Sequence, residues 1–224
     1  MKIYFRALLT LLVTSLMACS STAPAPDWQS NADSFLQSFT AAYLNGNTRL
    51  ADVEFARARN EIAGTGRADL VGRAELIRCA TRVASLEFDD CPGFQALAQD
   101  VGNGERAYAD YLAGRWQGLD TAMLPAAHRA TVAAAAGNGG KSPLDAIPDP
   151  LSRLVAAGAL LQSGRMTPVD IVAATETASK QGWRRPLLAW LGVQARRAHE
   201  AGDRDAAARI QRRIDLASKP VGDR

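Results

Sequence analysis

Apolar residues recur along most of the chain at intervals of three and four positions, which is the spacing of one face of an α-helix. The first such stripe consists of Phe35, Leu36, Phe39 and Tyr43. Asn31 or Asp33 is a suitable cap for the start of this helix, and Asn45-Gly46 is a typical left-handed end. The pattern therefore predicts a helix that begins near residue 31 and ends at residue 45.

The same spacing, combined with Gly, Pro and capping residues, predicts helices along the rest of the chain. In order they cover residues 48–63, 67–88, 94–99, 105–113, 126–136, 151–161, 167–180, 186–201 and a last helix that Asp203 caps. No stretch alternates with the period of a β-strand. We predict an all-α fold of antiparallel helices, arranged as helical hairpins.

One segment, residues 137–150, interrupts this pattern. It contains three glycines and three prolines in fourteen residues, which excludes a regular helix. It is either a long loop or a boundary between two helical halves, residues 31–136 and 151–218. Residues 219–224 form a short tail.

Two of the predicted hairpins resemble the tetratricopeptide repeat, a helix–turn–helix unit of about 34 residues. The residues that carry the resemblance are Gly46, Ala51, Phe55 and Ala58, with Gly202 and Ala207 as a partial second copy. Gln211 and Ile214 replace the aromatic and the small residue in that copy, and no 34-residue period links the two. The resemblance implies a repeat-like helical array, and an irregular helical bundle is the alternative.

The N-terminal segment combines positive charge at Lys2 and Arg6 with an apolar run over residues 7–17. Spanning a membrane takes roughly 20 apolar residues, so this run is too short for a membrane helix and suits a signal peptide. The segment ends in Leu16-Met17-Ala18-Cys19, which resembles the lipobox of bacterial lipoproteins.

The lipobox resemblance implies that residues 1–18 are removed and that Cys19 is acylated on its sulfur and on the new amine. Ser20 follows the cysteine where Asp would favour the inner membrane, so the resemblance implies a protein anchored in the outer membrane and facing the periplasm. Residues 19–30, rich in Ser, Ala and Pro at their start, are expected to form a flexible tether.

The overall charge is modest and unevenly distributed. The formal net charge is +3, and two of the positive charges lie in the signal peptide. From Trp183 onward there are ten Lys and Arg against five Asp and Glu. This balance does not give the strongly basic surface of a nucleic-acid-binding protein.

Cys79 and Cys91 remain as a pair once Cys19 is assigned to lipid. In an oxidising compartment an even pair favours a disulfide, here closing a loop of about a dozen residues. Two free thiols or metal ligands are the alternatives. No histidine lies near enough in the sequence to complete a metal set, and we expect no metal or other cofactor.

Motifs of enzymatic sites are weak in this sequence. Gly140-Lys141-Ser142 resembles part of a phosphate-binding loop, but Pro143 follows at once and a helix precedes it, so we expect no nucleotide. His128 and His199 belong to no metal or nucleophile motif. One of the glutamates Glu54, Glu61 and Glu75 could act as the acid of a glycan hydrolase, although neighbouring arginines account for all three as ion pairs.

The most suggestive surface is basic. Its candidate binding residues are Arg184, Arg185, Arg196, Arg197, Arg209, Arg212 and Arg213. Arg is common at interfaces because its planar fork pairs with carboxylates. The alternative is a solvated helix face whose arginines pair with Asp203, Asp205 and Asp215, while Trp190 and the leucines around it belong to the core.

These observations favour a non-enzymatic lipoprotein that acts as an interaction scaffold in assembly or maintenance of the cell envelope. Its expected partners are the membrane, through Cys19, and an envelope protein. A peptidoglycan-active enzyme or binder that uses a helix carboxylate is the alternative function, and a small-ligand binder is a further one.

Overall fold

The computed structural model describes residues 26–134 and 142–219, and all regular secondary structure in these two ranges is helical, without a β-strand. The helices are α1 (Asp27–Leu44), α2 (Thr48–Ala63), α3 (Ala68–Ala84), α4 (Pro92–Gln95), α5 (Asn103–Leu112), α6 (Ala126–Ala134), α7 (Pro150–Gln162), α8 (Pro168–Gln181), α9 (Arg184–Glu200) and α10 (Arg204–Ser218). Short 3₁₀ turns occupy Thr121–Met123 and Pro143–Ala146. The predicted all-α class is confirmed.

Several predictions fall outside the described residues. They concern the signal peptide, the lipobox with Cys19, most of the tether, the Gly-rich start of the predicted loop with Lys141, and the end of the tail. Among the helices that are described, none is both long enough and apolar enough to cross a membrane.

Local capping signals placed many helix ends correctly. Helix α2 has the predicted bounds, and the Asn47 side chain accepts a hydrogen bond from the Leu50 amide at its start. Thr167 and Asp170 form a capping box at the start of α8, and Gly182, with φ 67°, caps its C-terminal end. Asp203 caps α10 by accepting a hydrogen bond from the Ala206 amide. These signals act within one turn, so the sequence contains all of the information they need.

Helix α1 begins at Asp27, earlier than the predicted caps Asn31 and Asp33, and those two residues lie inside the helix. The four residues 27–30, assigned to the tether, are therefore helical. Trp28 packs against the buried residues of α1 and α2. This contact extends the apolar face of α1 toward its N-terminus and explains the earlier start.

Helix α3 ends at Ala84, although its apolar pattern predicted a helix to residue 88. Leu86 adopts a left-handed conformation with φ 59°. The Leu86 amide donates to the Val83 carbonyl, and the Glu87 amide donates to the Arg82 carbonyl. This is the Schellman end of a helix, in which the left-handed position usually holds Gly. Because no glycine marks this position, the sequence pattern predicted a helix that continues past its actual end.

The buried side chains form two clusters. The smaller one joins α1, α2 and the start of α3, and the larger one joins the rest of α3 to α5, α7, α8 and α9. Leu144 and Ile147, from the predicted loop, are fully buried in the larger cluster. Leu144 and Ile147 thus tie this segment to the core, and the core does not divide here. Both clusters lie wholly within residues 26–219.

The α1–α2 hairpin shows how the residues of the repeat resemblance are used. Gly46 has φ 86° at the turn, and Ala51 and Ala58 are completely buried where the helices cross. Phe55 packs against Phe39, with ring centroids 5.3 Å apart. The small residues let the helices approach while the aromatic pair fills the groove. Any closely packed hairpin needs this arrangement, so the relation to the repeat family stays a prediction.

Candidate functional site

An apolar trough runs between α1, α3, α5 and α7. Two adjoining cavities of about 500 and 460 Å³ form it, and they share Ile77 and Leu151 as a common wall. The other main apolar lining residues are Leu36, Leu44, Tyr108 and Met123. Ile77 and Met123 are among the exposed large hydrophobic residues of the domain. The trough is therefore an apolar surface open to solvent, within the size range of sites that bind organic ligands or peptide side chains.

Charged groups in the trough neutralise one another. Arg73 Nε donates to Glu105 Oε1 at 2.7 Å, and both residues line the trough. Asp33 is a single further charge, at the α1 end. The trough thus offers apolar contact area with little net charge.

Behind Tyr108 lies a buried aromatic cluster that contains His128. The His128 ring stacks on Tyr108 at a centroid distance of 5.5 Å, and Tyr111 Oη lies 3.2 Å from His128 Nδ1. Burial lowers the pKa of His128 to about 4, although the charge of Asp149 acts in the opposite direction. The imidazole is neutral at pH 7, and its surroundings are those of a core residue.

The glutamates considered as catalytic acids are held by arginines. Glu75 is buried between Arg59 and Arg78, whose Nε atoms each lie 3.1 Å from one of its carboxylate oxygens. Glu54 pairs with Arg57 at 3.2 Å. Both carboxylate oxygens of Glu75 are therefore engaged in ion pairs that join it to neighbouring arginines.

Glu61 lines a separate cavity beside Trp28 and Thr65, away from the trough.

Ser142 belongs to the segment that resembles part of a phosphate-binding loop, and its hydroxyl donates to the buried Asp170 carboxylate at 2.6 Å. This hydroxyl therefore links the loop to α8 and faces no open site.

The predicted arginine patch divides into three parts, and the first lies inside the fold. Arg185 Nη1 donates to Glu87 Oε1 at 2.7 Å, and Arg185 Nη2 donates to Thr48 Oγ1 at 2.6 Å. Burial of Glu87 disfavours its charge, but the interaction with the Tyr43 hydroxyl, the hydrogen bond from Arg185 and the charges of Arg185 and Arg82 outweigh this effect and lower the pKa of Glu87. Arg184, next to it, is half-buried. Arg185 is thus used to hold the domain together.

The second part borders another apolar cavity, of about 440 Å³, which we call the arginine cleft. Its lining residues are Leu86, Phe88, Leu161, Met166, Ile171, Val193, Arg196 and Arg197. Both arginines are exposed, and within the described residues neither lies at salt-bridge distance from a carboxylate.

The third part lies on α10. Arg209 and Arg212 are exposed, and Arg213 makes a 3.3 Å contact with Glu176 of α8. The alternative in which these arginines pair with three aspartates is not found among the described residues. Asp203 serves as the helix cap, Asp215 accepts from Gln211, and Asp205 makes no ion pair.

Cys79 and Cys91 lie together, with their sulfur atoms at bonding distance and their Cα atoms 5.8 Å apart. The predicted proximity of the pair is confirmed. The Asp89 carboxylate is close to both sulfurs but pairs with Arg82 at 3.2 Å. Sulfurs joined in a disulfide are not thiolate ligands, so this arrangement does not favour the metal alternative.

The arginine cleft could not be recognised from the sequence. Its walls come from the segment after α3, the end of α7, the start of α8 and the middle of α9. The signal that the sequence did contain was the pair Arg196-Arg197, but nothing local distinguished this pair from Arg184-Arg185.

Comparison with known protein families, curated proteins and solved structures finds no match to this chain.

Proposed function

We propose that this protein is a lipoprotein of the outer membrane whose helical domain faces the periplasm and acts as a non-enzymatic interaction module. The lipobox-like Leu16-Met17-Ala18-Cys19, after a short apolar run, supports the anchor. More than one acyl chain on Cys19 would make attachment stable, because a single chain binds membranes only reversibly.

The observation that carries the interaction role is the apolar trough. Exposed apolar patches of this kind on a small domain mark sites for partners or ligands. Ile77 and Met123 would be the central contacts, because both are large, apolar and accessible. The buried glutamates of α2 and α3, by contrast, are paired with arginines, which gives the glycan-hydrolase alternative no support.

The anchor is tested by expressing the chain with its own signal in a Gram-negative host. Mass spectrometry of the N-terminal peptide is expected to show Cys19 as the first residue, with three acyl chains. Cys19→Ser is expected to prevent acylation and to remove the protein from the outer-membrane fraction. An intact, unmodified N-terminus in the wild-type protein would refute the anchor.

The interaction role is tested by cross-linking in living cells with Ile77→Asp combined with Met123→Asp. These changes place charge in the trough, at residues exposed enough to accept it without unfolding the domain. Val169→Asp with Val172→Asp is the matched control, since both valines are exposed on α8 outside the trough. Cross-linked species that disappear only in the trough variant support the proposal, and an identical pattern in all three proteins contradicts it.

A further inference from the structure

The arginine cleft has walls that are almost entirely aliphatic. Leu86, Leu161, Met166, Ile171 and Val193 line it together with Phe88. Apart from the two arginines, no lining side chain can donate or accept a strong hydrogen bond. A ligand body that fills this cavity must itself be apolar, because a polar group there would lose its hydrogen bonds to water without replacement.

The two arginines supply a charge that the domain leaves unneutralised. Arg196 and Arg197 lie near the end of α9, and their exposed side chains border the cleft where it meets solvent. By contrast, Arg73 in the trough pairs with Glu105, and Arg185 pairs with Glu87. Two adjacent guanidinium groups without a carboxylate partner are available to pair with an external anion.

The wall on the α3 side is built from a strained segment. Leu86 has φ 59°, a conformation that is costly for a residue with a branched side chain. It packs partly against the larger core, and Phe88, two residues later, remains 41% exposed beside the cleft. The Schellman end of α3 thus directs an aliphatic and an aromatic side chain to one cavity.

We propose that the arginine cleft binds a single aliphatic chain with an anionic head, of the class of long-chain carboxylates. The aliphatic chain occupies the cavity, and the carboxylate pairs with Arg196 and Arg197. The apolar trough does not offer this combination, since its arginine is already paired with Glu105.

Size and wall chemistry favour a small amphiphile over a peptide. A volume of about 440 Å³ lies within the range of small-molecule sites. A peptide would bring backbone amides and carbonyls against walls that cannot hydrogen-bond to them, which costs free energy for each buried group. An aliphatic chain has no such groups. This inference does not depend on the lipid anchor or on the trough.

The test uses the chain from Ser20 onward, which contains both hydrophobic clusters complete. Isothermal titration with dodecanoate, below its micelle concentration, is expected to show one binding site. Removing both charges with Arg196→Gln and Arg197→Gln is expected to weaken binding by roughly tenfold or more, as for loss of hydrogen bonds to a charged group. The matched control is Arg209→Gln with Arg212→Gln, which removes the same charge from α10 and is expected to leave the affinity unchanged.

Two further ligands separate the contribution of the aliphatic chain to binding from that of the anionic head. Dodecanol, which has the same chain without the charge, is expected to bind more weakly than dodecanoate, and acetate, which has the charge without the chain, is expected not to bind. Phe88→Asp places a repelling charge beside the cavity without altering either arginine, and it is expected to abolish dodecanoate binding. Circular dichroism melts of each variant verify folding.

The proposal is overturned if the two Arg→Gln pairs weaken binding equally, since that result would show only a non-specific effect of net charge. It is also overturned if dodecanol and dodecanoate bind alike, or if an acidic apolar peptide binds at this cleft while dodecanoate does not. None of these results bears on Cys19 or on the trough variants, so failure here leaves the proposed function standing.

Discussion

The Arg185 side chain, at the start of α9, binds the backbone carbonyl of Tyr43 at the end of α1, 142 residues earlier in the chain. Arg185 Nε donates to the Tyr43 carbonyl oxygen at 2.8 Å, and the guanidinium carbon lies 4.2 Å from the centre of the Tyr43 ring. The remaining nitrogens bind Glu87 and Thr48. One side chain therefore connects α9 to the α1–α2 turn and to the segment after α3.

Replacing Arg185 is expected to destabilise the domain. Arg185→Ala removes three hydrogen bonds and a cation–π contact, and we expect a loss of about 2–3 kcal/mol in the free energy of unfolding. Arg185→Lys should recover only part of this loss, because a lysine ammonium cannot reproduce the planar fork. Urea denaturation followed by circular dichroism measures both. Arg209→Ala, at an exposed residue of α10, is the control, and an Arg185→Ala effect no larger than the control would contradict the structural role.

We expect substitution by alanine to change the stability of the domain in opposite directions at Gly158 and at Gly192. A Cβ atom on Gly158 of α7 would lie 2.3 Å from the Val83 carbonyl oxygen of α3, which is a backbone atom. Gly158→Ala must push the two helices apart, and we expect it to destabilise the domain by about 1–3 kcal/mol. Gly192, inside α9, has open space at the same position. Gly192→Ala is expected to be neutral or to stabilise by about 0.5–1 kcal/mol. Thermal melts of the two variants measure the difference, and equal effects would refute the close approach of α3 and α7.

Because of the disulfide, we expect reductant to lower the stability of the domain. Cys79 and Cys91 are 12 residues apart, and a loop of this length stabilises a domain by about 3 kcal/mol in the chain-entropy model. For the chain from Ser20 onward, which has no other cysteine, reductant should lower the urea midpoint. The double variant Cys79→Ala with Cys91→Ala should be insensitive to reductant. Two reactive thiols in the unfolded, unreduced protein would show that the bond does not form.

Because of His128, we expect the folded domain to lose stability in mild acid. Burial lowers its folded pKa to about 4, whereas an unfolded histidine has a pKa near 6.5. Between these values the unfolded chain binds a proton that the folded domain does not, so stability is complete above about pH 6.5 and falls as the pH decreases toward 4. The shift corresponds to about 3 kcal/mol over this range.

The measurement is the free energy of unfolding of the chain from Ser20 onward at several values between pH 4 and 7. His128→Gln is expected to be less stable than wild type at pH 7 and to lose this part of the pH dependence. His199→Gln alters an exposed residue and should keep the wild-type slope. A slope unchanged by His128→Gln would mean that the imidazole is accessible to protons in the folded domain.

Much of the fold was predictable because its signals are local. The bounds of α2, the capping box at Thr167, the left-handed Gly182 and the cap Asp203 each depend on contacts within one helical turn. The apolar spacing gave the all-α class for the same reason. Of the residues predicted to form the core around Trp190, Trp190 and Leu191 are buried, whereas Leu187 and Leu188 are half-buried.

Predictions failed where long-range packing overrides local preference. The early start of α1 depends on the packing of Trp28 against the smaller cluster of buried residues. The end of α3 depends on a left-handed backbone conformation at Leu86, which is more common for glycine. Leu144 and Ile147 lie in a Pro-rich segment that gave no periodic signal, yet the larger core buries both.

By itself, the sequence determined the helical class, most capping positions and the two cysteines that pair, because periodicity, caps and close spacing are properties of neighbouring residues. It also contains the lipobox resemblance on which the proposed anchor depends. Only the tertiary structure decided the roles of the arginines. Arg185 and Arg196 look alike in the sequence, but one meets a carboxylate 98 residues away and the other borders an apolar cleft. Their difference arises from contacts between helices that are distant in the chain, and no local pattern records such contacts.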